Sequence, residues 1–263
     1  MIIGILGNGD IGSSLREVYE LAGLRDVVTR DPYQGLDSSL SDSDIVNVCI
    51  PFFGHESFAE ALRNLELRDG CVVIVQSTVD VGCTDRLQAD FPALVCVHSP
   101  VRGVHPNLTQ GLLAFEKYVG LSDRFYADEP TKTHVARHVE SLGMRPVVCR
   151  AKESELAKVV STTLYGLNIA AVTDVSRLCD DSGVDFERVF TRWQTGYNAG
   201  YQSLGMPDVC RPVLTPVPVN EDGKRVIGGH YVLPNCMILR ERMKESDLSG
   251  FVLRYSDEKS LTH

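Results

Sequence analysis

The chain has 263 residues and a net charge of −9. That length builds one large domain or two small ones. The acidic balance, with no dense basic run, argues against nucleic acid or an anionic membrane surface as a partner.

The chain opens on an apolar strand, Ile2–Leu6, that runs straight into Gly7-x-Gly9-x-x-Gly12, and a helical pattern follows over Ser13–Ala22. Gly7 permits a tight turn, Gly9 lets backbone N–H groups approach a pyrophosphate, and Gly12 lets helix and strand pack closely. The helix N-terminus then presents unpaired N–H groups to phosphates. The candidate dinucleotide site is therefore Gly7, Asn8, Gly9, Asp10, Ile11 and Gly12, with the Asp10 side chain turned to solvent. A second apolar run, Val27–Thr29, leads to Asp31, about twenty residues on, where a carboxylate accepts hydrogen bonds from the adenosine ribose. Asp31 favours NAD over NADP, whereas Arg30 beside it suits a 2′-phosphate.

Further strand-like runs recur at Ile45–Ile50, Cys71–Gln76, Leu94–Val97, Lys117–Gly120 and Pro146–Cys149, with helical segments such as Glu56–Leu65 and Pro130–Leu142 between them. Short buried strands alternating with helices predict an α/β fold, a doubly wound, mostly parallel Rossmann sheet. Ligands then lie at the carboxyl ends of the strands, at Pro51-Phe52-Phe53, Gln76-Ser77-Thr78 and His98-Ser99-Pro100. After Arg150 the pattern changes. Glu153–Ser182 reads as one long helix apolar over more than one stripe, which requires burial on several sides. A second helix spans Asp185–Gly200 with Asp185 as its cap, and a last one Pro234–Asp247. The division expected is a dinucleotide-binding domain over 1–150 and a smaller, mainly helical dimerisation and substrate domain over 151–263.

No apolar run approaches bilayer-spanning length and no leader precedes the first strand, so a cytoplasmic protein without a membrane partner is expected. Of the eight cysteines, Cys49, Cys71, Cys96 and Cys149 lie in strand-like runs as small buried hydrophobes. Neither a C-x-x-C pair nor zinc spacing is present, so reduced thiols and no metal are expected.

The motifs in order resemble the UDP-glucose/GDP-mannose dehydrogenase family. They are the Gly7–Gly12 turn, the strand from Asp44 to Pro51, Gln76-Ser-Thr-Val-Asp-Val-Gly82, Ser99-Pro-Val-Arg102, Glu155-Leu-Ala-Lys158 and Gly228-Gly-His230. The resemblance implies NAD-dependent oxidation of a sugar-nucleotide alcohol to a carboxylate in two hydride steps, in a homodimer paired through the long helix. It places Pro51, Ser77 and Thr78 on the nicotinamide side. It makes Lys158 the ammonium that stabilises oxyanion charge, with a solvated helix lysine as the alternative. Arg102 suits an anionic substrate group or a local carboxylate. Gly228 and Gly229 let backbone approach the substrate, and His230 suits a proton shuttle or a loop hydrogen bond.

The departures are as informative. Tyr231 stands where the family carries its thiolate nucleophile, and Cys236 lies five residues later. Val101, Thr162 and Asn235 replace a glutamate, an asparagine and an acid. The sequence stops where the family begins its third domain. Three readings remain open. In the first, a single hydride passes between an alcohol and a carbonyl, with Lys158 and His230 or Tyr231 handling the oxygen. In the second, Cys236 serves a two-step sugar-nucleotide dehydrogenase. The third is a non-catalytic NAD-binding sensor or scaffold.

Overall fold

β1 (Ile3–Leu6) is buried along its whole length, as a strand covered by helices on both faces must be. In this computed structural model the described residues are 1–103, 107–221, 223–227, 232–242, 250 and 252. From β1 the chain enters α1 (Asp10–Leu21), returns as β2 (Val27–Asp31) and makes a short antiparallel β3 (Leu36–Asp37). There follow β4 (Ile45–Val48), α2 (His55–Arg63), β5 (Val72–Val75), α3 (Cys83–Asp90) and β6 (Val95–His98). Next come α4 (Leu108–Ala114), β7 (Lys117–Leu121), α5 (Asp123–Tyr126), α6 (Glu129–Ser141) and β8 (Pro146–Arg150). The eight strands form one sheet in the order β3-β2-β1-β4-β5-β6-β7-β8.

β2, β1, β4, β5 and β6 run parallel, as do β7 and β8, and within this sheet the β2–β3 and β6–β7 pairs are antiparallel. This is the mostly parallel, doubly wound sheet expected. The chain reverses its direction of travel between β1 and β4, the switch point where such sheets open a ligand crevice. Strand alternation divides the core in two. Ile3, Ile5, Ile45, Val72, Ile74, Val97 and Val119 pack with α1, α4 and α6 on one face. Leu6, Val46, Val48, Val73, Val75 and Cys96 pack with α2 and α3 on the other. All eight cysteines are free thiols.

Two details differ from expectation. α1 starts at Asp10 rather than Ser13, because Gly12 is helical and lies inside the first turn. β3 was not foreseen, since two residues are too few to show alternation.

The chain divides into two compact units, Met1–Lys158 and Val159–His263. The helix predicted from 153 is α7 (Ala151–Ser182), whose first two turns therefore belong with the sheet. Its entry is fixed by Gly120 on β7, where a Cβ would overlap Ser154 Oγ and crowd the Ala151 Cα. In the second unit, Ala170, Ile227, Leu233, Cys236 and Val252 form a small core. There α8 (Arg192–Ser203) follows a wide π-helical turn over Glu187–Thr191. Asp185 caps that entry, its Oδ1 accepting the Glu187 N–H at 3.1 Å. The last helix, α9 (Val232–Arg242), begins two residues before the expected Pro234.

The expectation that no apolar run approaches bilayer-spanning length is not met. α7 is long and apolar enough to cross a membrane by length and composition, and 33% of its most apolar window is buried. The chain is uncharged from Val159 to Thr173, and small polar residues such as Ser161, Thr162 and Asn168 break up that run in a direct reading of the sequence.

Gly120→Ala is expected to lower unfolding free energy by about 2 kcal/mol, the scale of overpacking a rigid contact. Urea denaturation followed by circular dichroism checks this; an unchanged midpoint would refute the tight docking of α7 on β7.

Candidate active site

The glycine turn joins β1 to α1. Gly7 adopts φ +92°, and a Cβ there would press on the Cys49 carbonyl. Gly12 has no room for a Cβ, which would overlap the Gly7 carbonyl. Gly9, the N-cap of α1, faces open space with nothing within 4 Å of where its Cβ would be. No side chain caps the helix there. Open space above an uncapped helix N-terminus fits a pyrophosphate, whose oxygens accept the first-turn N–H groups. Asn8, Asp10 and Ile11 complete the turn, and Asp10 is exposed.

Asp31 ends β2 and accepts the Asn8 N–H at 2.8 Å, which joins the carboxylate expected at the ribose to the turn. Gln34 closes over the same residue, exchanging hydrogen bonds with the Asn8 side chain at 2.8 Å and carbonyl at 3.2 Å. Arg30 points elsewhere: its Nη1 donates to the Asp37 and Ser38 carbonyls, both at 3.3 Å. The side chain that suited a 2′-phosphate is thus engaged with the β3 hairpin.

Because β1, β4, β5 and β6 are parallel, the segments after them emerge at one edge of the sheet. Pro51 is exposed there and Thr78 half-buried. Ser77 is buried, its Oγ donating to the Ile50 carbonyl at 2.6 Å, so it braces the Pro51 segment. His98, expected to line the cleft, is fully buried instead. Its Nε2 lies 3.2 Å from the Ser77 carbonyl and its Nδ1 2.8 Å from Ser154 Oγ. A carbonyl only accepts, so the neutral ring donates from Nε2 and accepts at Nδ1.

α7 brings two charged groups to this edge. Glu155 is fully buried and accepts the Gly82 N–H at 2.6 Å, the Thr84 N–H at 2.8 Å and the Thr84 hydroxyl at 2.6 Å. It thereby caps α3 from another element. Burial raises its pKa, and the Thr84 and Gly82 donors oppose the rise. One turn on, the Lys158 ammonium donates to the Val101 carbonyl at 2.8 Å. Burial lowers its pKa and the nearby Arg102 charge lowers it further. Lys158 is therefore a half-buried, held cation and not a solvated helix lysine. Val101, at the position of the family glutamate, packs into the apolar core. Arg102 is exposed and lies over the Phe115 and Tyr118 rings, 5.4 and 5.8 Å from their centroids.

Cys236 does not have a nucleophile's setting. It is fully buried in the second unit's core, and burial raises its pKa while a hydrogen bond with Thr163 opposes the rise. A reactive thiol needs the opposite, an exposed and depressed group. Gly228, Gly229, His230 and Tyr231 lie outside the described residues. Trp193, Tyr197 and Tyr201 form the expected stripe along α8, with ring centroids 6.2 and 6.1 Å apart.

Sequence reasoning missed a row of buried polar side chains beneath the strand ends: Tyr19, Asn47, Gln76, Lys117 and His138. Lys117 was the available signal, a lysine opening an otherwise apolar strand.

A doubly wound sheet with an open, uncapped glycine turn at its switch point is the architecture of a dinucleotide-binding fold. No family model matches the chain. Among curated proteins it is similar to an NDP-N-acetyl-D-galactosaminuronic acid dehydrogenase of Ralstonia solanacearum, at 23% identity over 76% of this chain and 53% of that protein. The chain spans about half the length of the curated relatives it matches. Among solved structures, the UDP-D-ManNAc dehydrogenase from Pyrococcus horikoshii superposes with a TM-score of 0.74 at 19% identity, covering 97% of this chain and 68% of that one. The 3-hydroxyisobutyrate dehydrogenase of Mycobacterium tuberculosis, bound to L-serine, superposes with a TM-score of 0.68 at 18% identity, covering 97% and 92%. The fold is that of these dehydrogenases, and nucleotide-sugar dehydrogenases recur among the neighbours, as the motif resemblance implied.

Burial pulls His98 down to about 3, with the Ser77 carbonyl opposing and Lys117 and Lys158 adding to the fall. Burial, and then His134, pulls His138 down to about 4. Both rings bind protons more readily in the unfolded chain, so their contribution is intact above the ordinary pKa of 6.5 and lost as pH falls through the window below it. In urea titrations from pH 7 to pH 4, His138→Gln, which still offers Tyr19 an acceptor, is expected to reduce that acid slope by about one proton. An unchanged slope would show that His138 is protonated in the folded state.

Proposed function

We propose that this chain is an NAD-dependent oxidoreductase related to the nucleotide-sugar dehydrogenases, passing a single hydride between an alcohol and a carbonyl. The observation that carries the reading is the Lys158 ammonium, held at the Val101 carbonyl on the same sheet edge as the glycine turn. Bound NAD would supply the hydride acceptor. Gly7, Asn8, Gly9, Asp10, Ile11 and Gly12 would hold its pyrophosphate and Asp31 its ribose, with Pro51, Ser77 and Thr78 towards the nicotinamide. Lys158 would stabilise the charge that develops on the substrate oxygen as its proton leaves. Arg102, with Gly228 and Gly229, would bind the rest of a small-molecule substrate, a sugar nucleotide by analogy with the relatives. His230 and Tyr231 would serve the proton.

The buried thiol of Cys236 favours one hydride step over two, since covalent capture of an aldehyde needs an accessible thiolate. The match to most of a hydroxy-acid dehydrogenase's length supports the same preference. Val101 in the apolar core supports a second reading, a cofactor-binding protein without turnover. We assign the protein to the cytoplasm as a homodimer, for which the free thiols and the exposed Leu156, Leu164, Tyr165 and Leu178 on α7 speak.

The test is NADH fluorescence titration followed by NAD reduction over a panel of sugar nucleotides and hydroxy acids. Lys158→Met is expected to retain NADH binding and to lose turnover by about 100-fold or more. Saturable NADH binding with no turnover on any alcohol would select the non-catalytic reading. In parallel, Leu178→Asp should shift light scattering from dimer to monomer at micromolar concentration, and a monomeric parent chain would end the dimer assignment.

A further inference from the structure

Lys117 opens β7 with 3% of its surface exposed. Its ammonium donates to three neutral oxygens: Gln76 Oε1 at 2.6 Å, the Ser99 carbonyl at 2.8 Å and the Pro100 carbonyl at 3.3 Å. An ammonium only donates, so Gln76 must turn its oxygen to Lys117 and its Nε2 away. That Nε2 donates to Asn47 Oδ1 at 2.9 Å, and Asn47 Nδ2 donates to the Tyr19 hydroxyl at 2.9 Å. The Tyr19 hydroxyl then has His138 Nε2 as its acceptor, at 2.9 Å. Every donor in this buried row points away from the lysine. The row passes the end of β5, crosses β4 and ends between α1 and α6, so one charge orients polar groups in three elements and the segment after β5.

The far end of this arrangement is the loop after β6. Ser99 N–H donates to the Val75 carbonyl at 2.8 Å, and Ser99 Oγ to the Tyr118 carbonyl at 2.6 Å. Val101 N–H donates to the Gln76 carbonyl at 3.3 Å. Lys117 holds the carbonyls of Ser99 and Pro100, and Lys158 holds the next one, Val101. Arg102 follows at once, its guanidinium over Tyr118, the neighbour of Lys117 on β7.

We propose that Lys117 is a positioning residue for substrate binding: by gripping two successive carbonyls of the Ser99–Arg102 loop it sets where Arg102 and the Lys158 acceptor stand. This deepens the oxidoreductase reading and rests on it for the word substrate. A buried charge among neutral acceptors is disfavoured relative to an apolar side chain. Control of the loop is what the charge supplies in return. Burial pulls the Lys117 pKa down to about 7, with Cys49 opposing and Lys158 adding to the fall. The ionisable groups facing it are Cys49 after β4, His98 at the end of β6 and Lys158 on α7. A neutral amine has one N–H fewer, so the grip on one of the three oxygens is released as pH rises through that value.

The experiment is a pH titration of backbone amide NMR signals in the whole chain, beside Lys117→Met and Lys117→Arg. The Val101 and Arg102 amides are expected to move together with a midpoint near the Lys117 pKa of about 7. They should stay flat in Lys117→Met and remain at the low-pH position in Lys117→Arg, which keeps its charge. Flat signals in the parent chain, or equal movement in Lys117→Met, would overturn the proposal. Lys117→Arg keeps the comparison readable if Lys117→Met fails to fold. For an alcohol that the parent chain oxidises, Lys117→Met should raise its KM about tenfold, with KM for NAD unchanged and Lys117→Arg restoring it. A fall in kcat alone would count against positioning. NADH titration on the same samples separates the two claims: no NADH binding would defeat the oxidoreductase reading, while the amide titration would still decide the lysine's hold on the loop.

Discussion

The arrangement at the sheet edge depends on one carboxylate. Glu155 is removed from water and meets three donors from the start of α3, two of them backbone N–H groups that a helix N-terminus leaves unpaired. That contact fixes the rotation and depth of the first turns of α7. With Gly120 admitting the Ala151–Ser154 backbone and Ser154 meeting His98, it leaves Lys158 little choice of direction. The lysine reaches Val101 because the glutamate one turn earlier is anchored; removal of the glutamate would leave buried donors without their acceptor, and removal of the lysine would take a donor from the Val101 carbonyl.

Around the loop after β6 the held side chains are cationic. Lys117 and Lys158 converge on the four-residue loop that carries Arg102, and the ring of His98 is kept neutral partly by the two lysines. Where the family pattern has a glutamate, Val101 turns into the apolar core. A loop set among cations attracts an anionic ligand. Burial is the first cause of the fall in both lysine pKa values, and the neighbouring cations add to it.

Much of this was legible beforehand because periodicity is a local property. Short apolar runs separated by helical segments can bury both faces of a strand only in a covered, mainly parallel sheet, so the fold class followed from spacing. The glycine turn was legible for a related reason. Gly7 and Gly12 are there because a Cβ has no place at those points, and that demand leaves a mark in the sequence itself. Asp185 was recognisable as a cap because capping is settled within a few residues.

The buried polar row was not legible, since its members lie far apart in the chain and none makes sense alone. Lys117 looked like a strand's first residue, and His98 like a residue facing the cleft. A strand end shows which edge a side chain is near, but only packing decides whether it faces solvent or protein. The same limit applies to Cys236, a thiol near the expected position in sequence that the second unit's core encloses completely. The sequence by itself determined the sheet and the glycine turn, because these rest on local spacing and on backbone sterics. Tertiary structure alone decided which cations are held, which carbonyls they hold and which thiol is shut away, because those outcomes depend on desolvation and on partners brought together from distant parts of the chain.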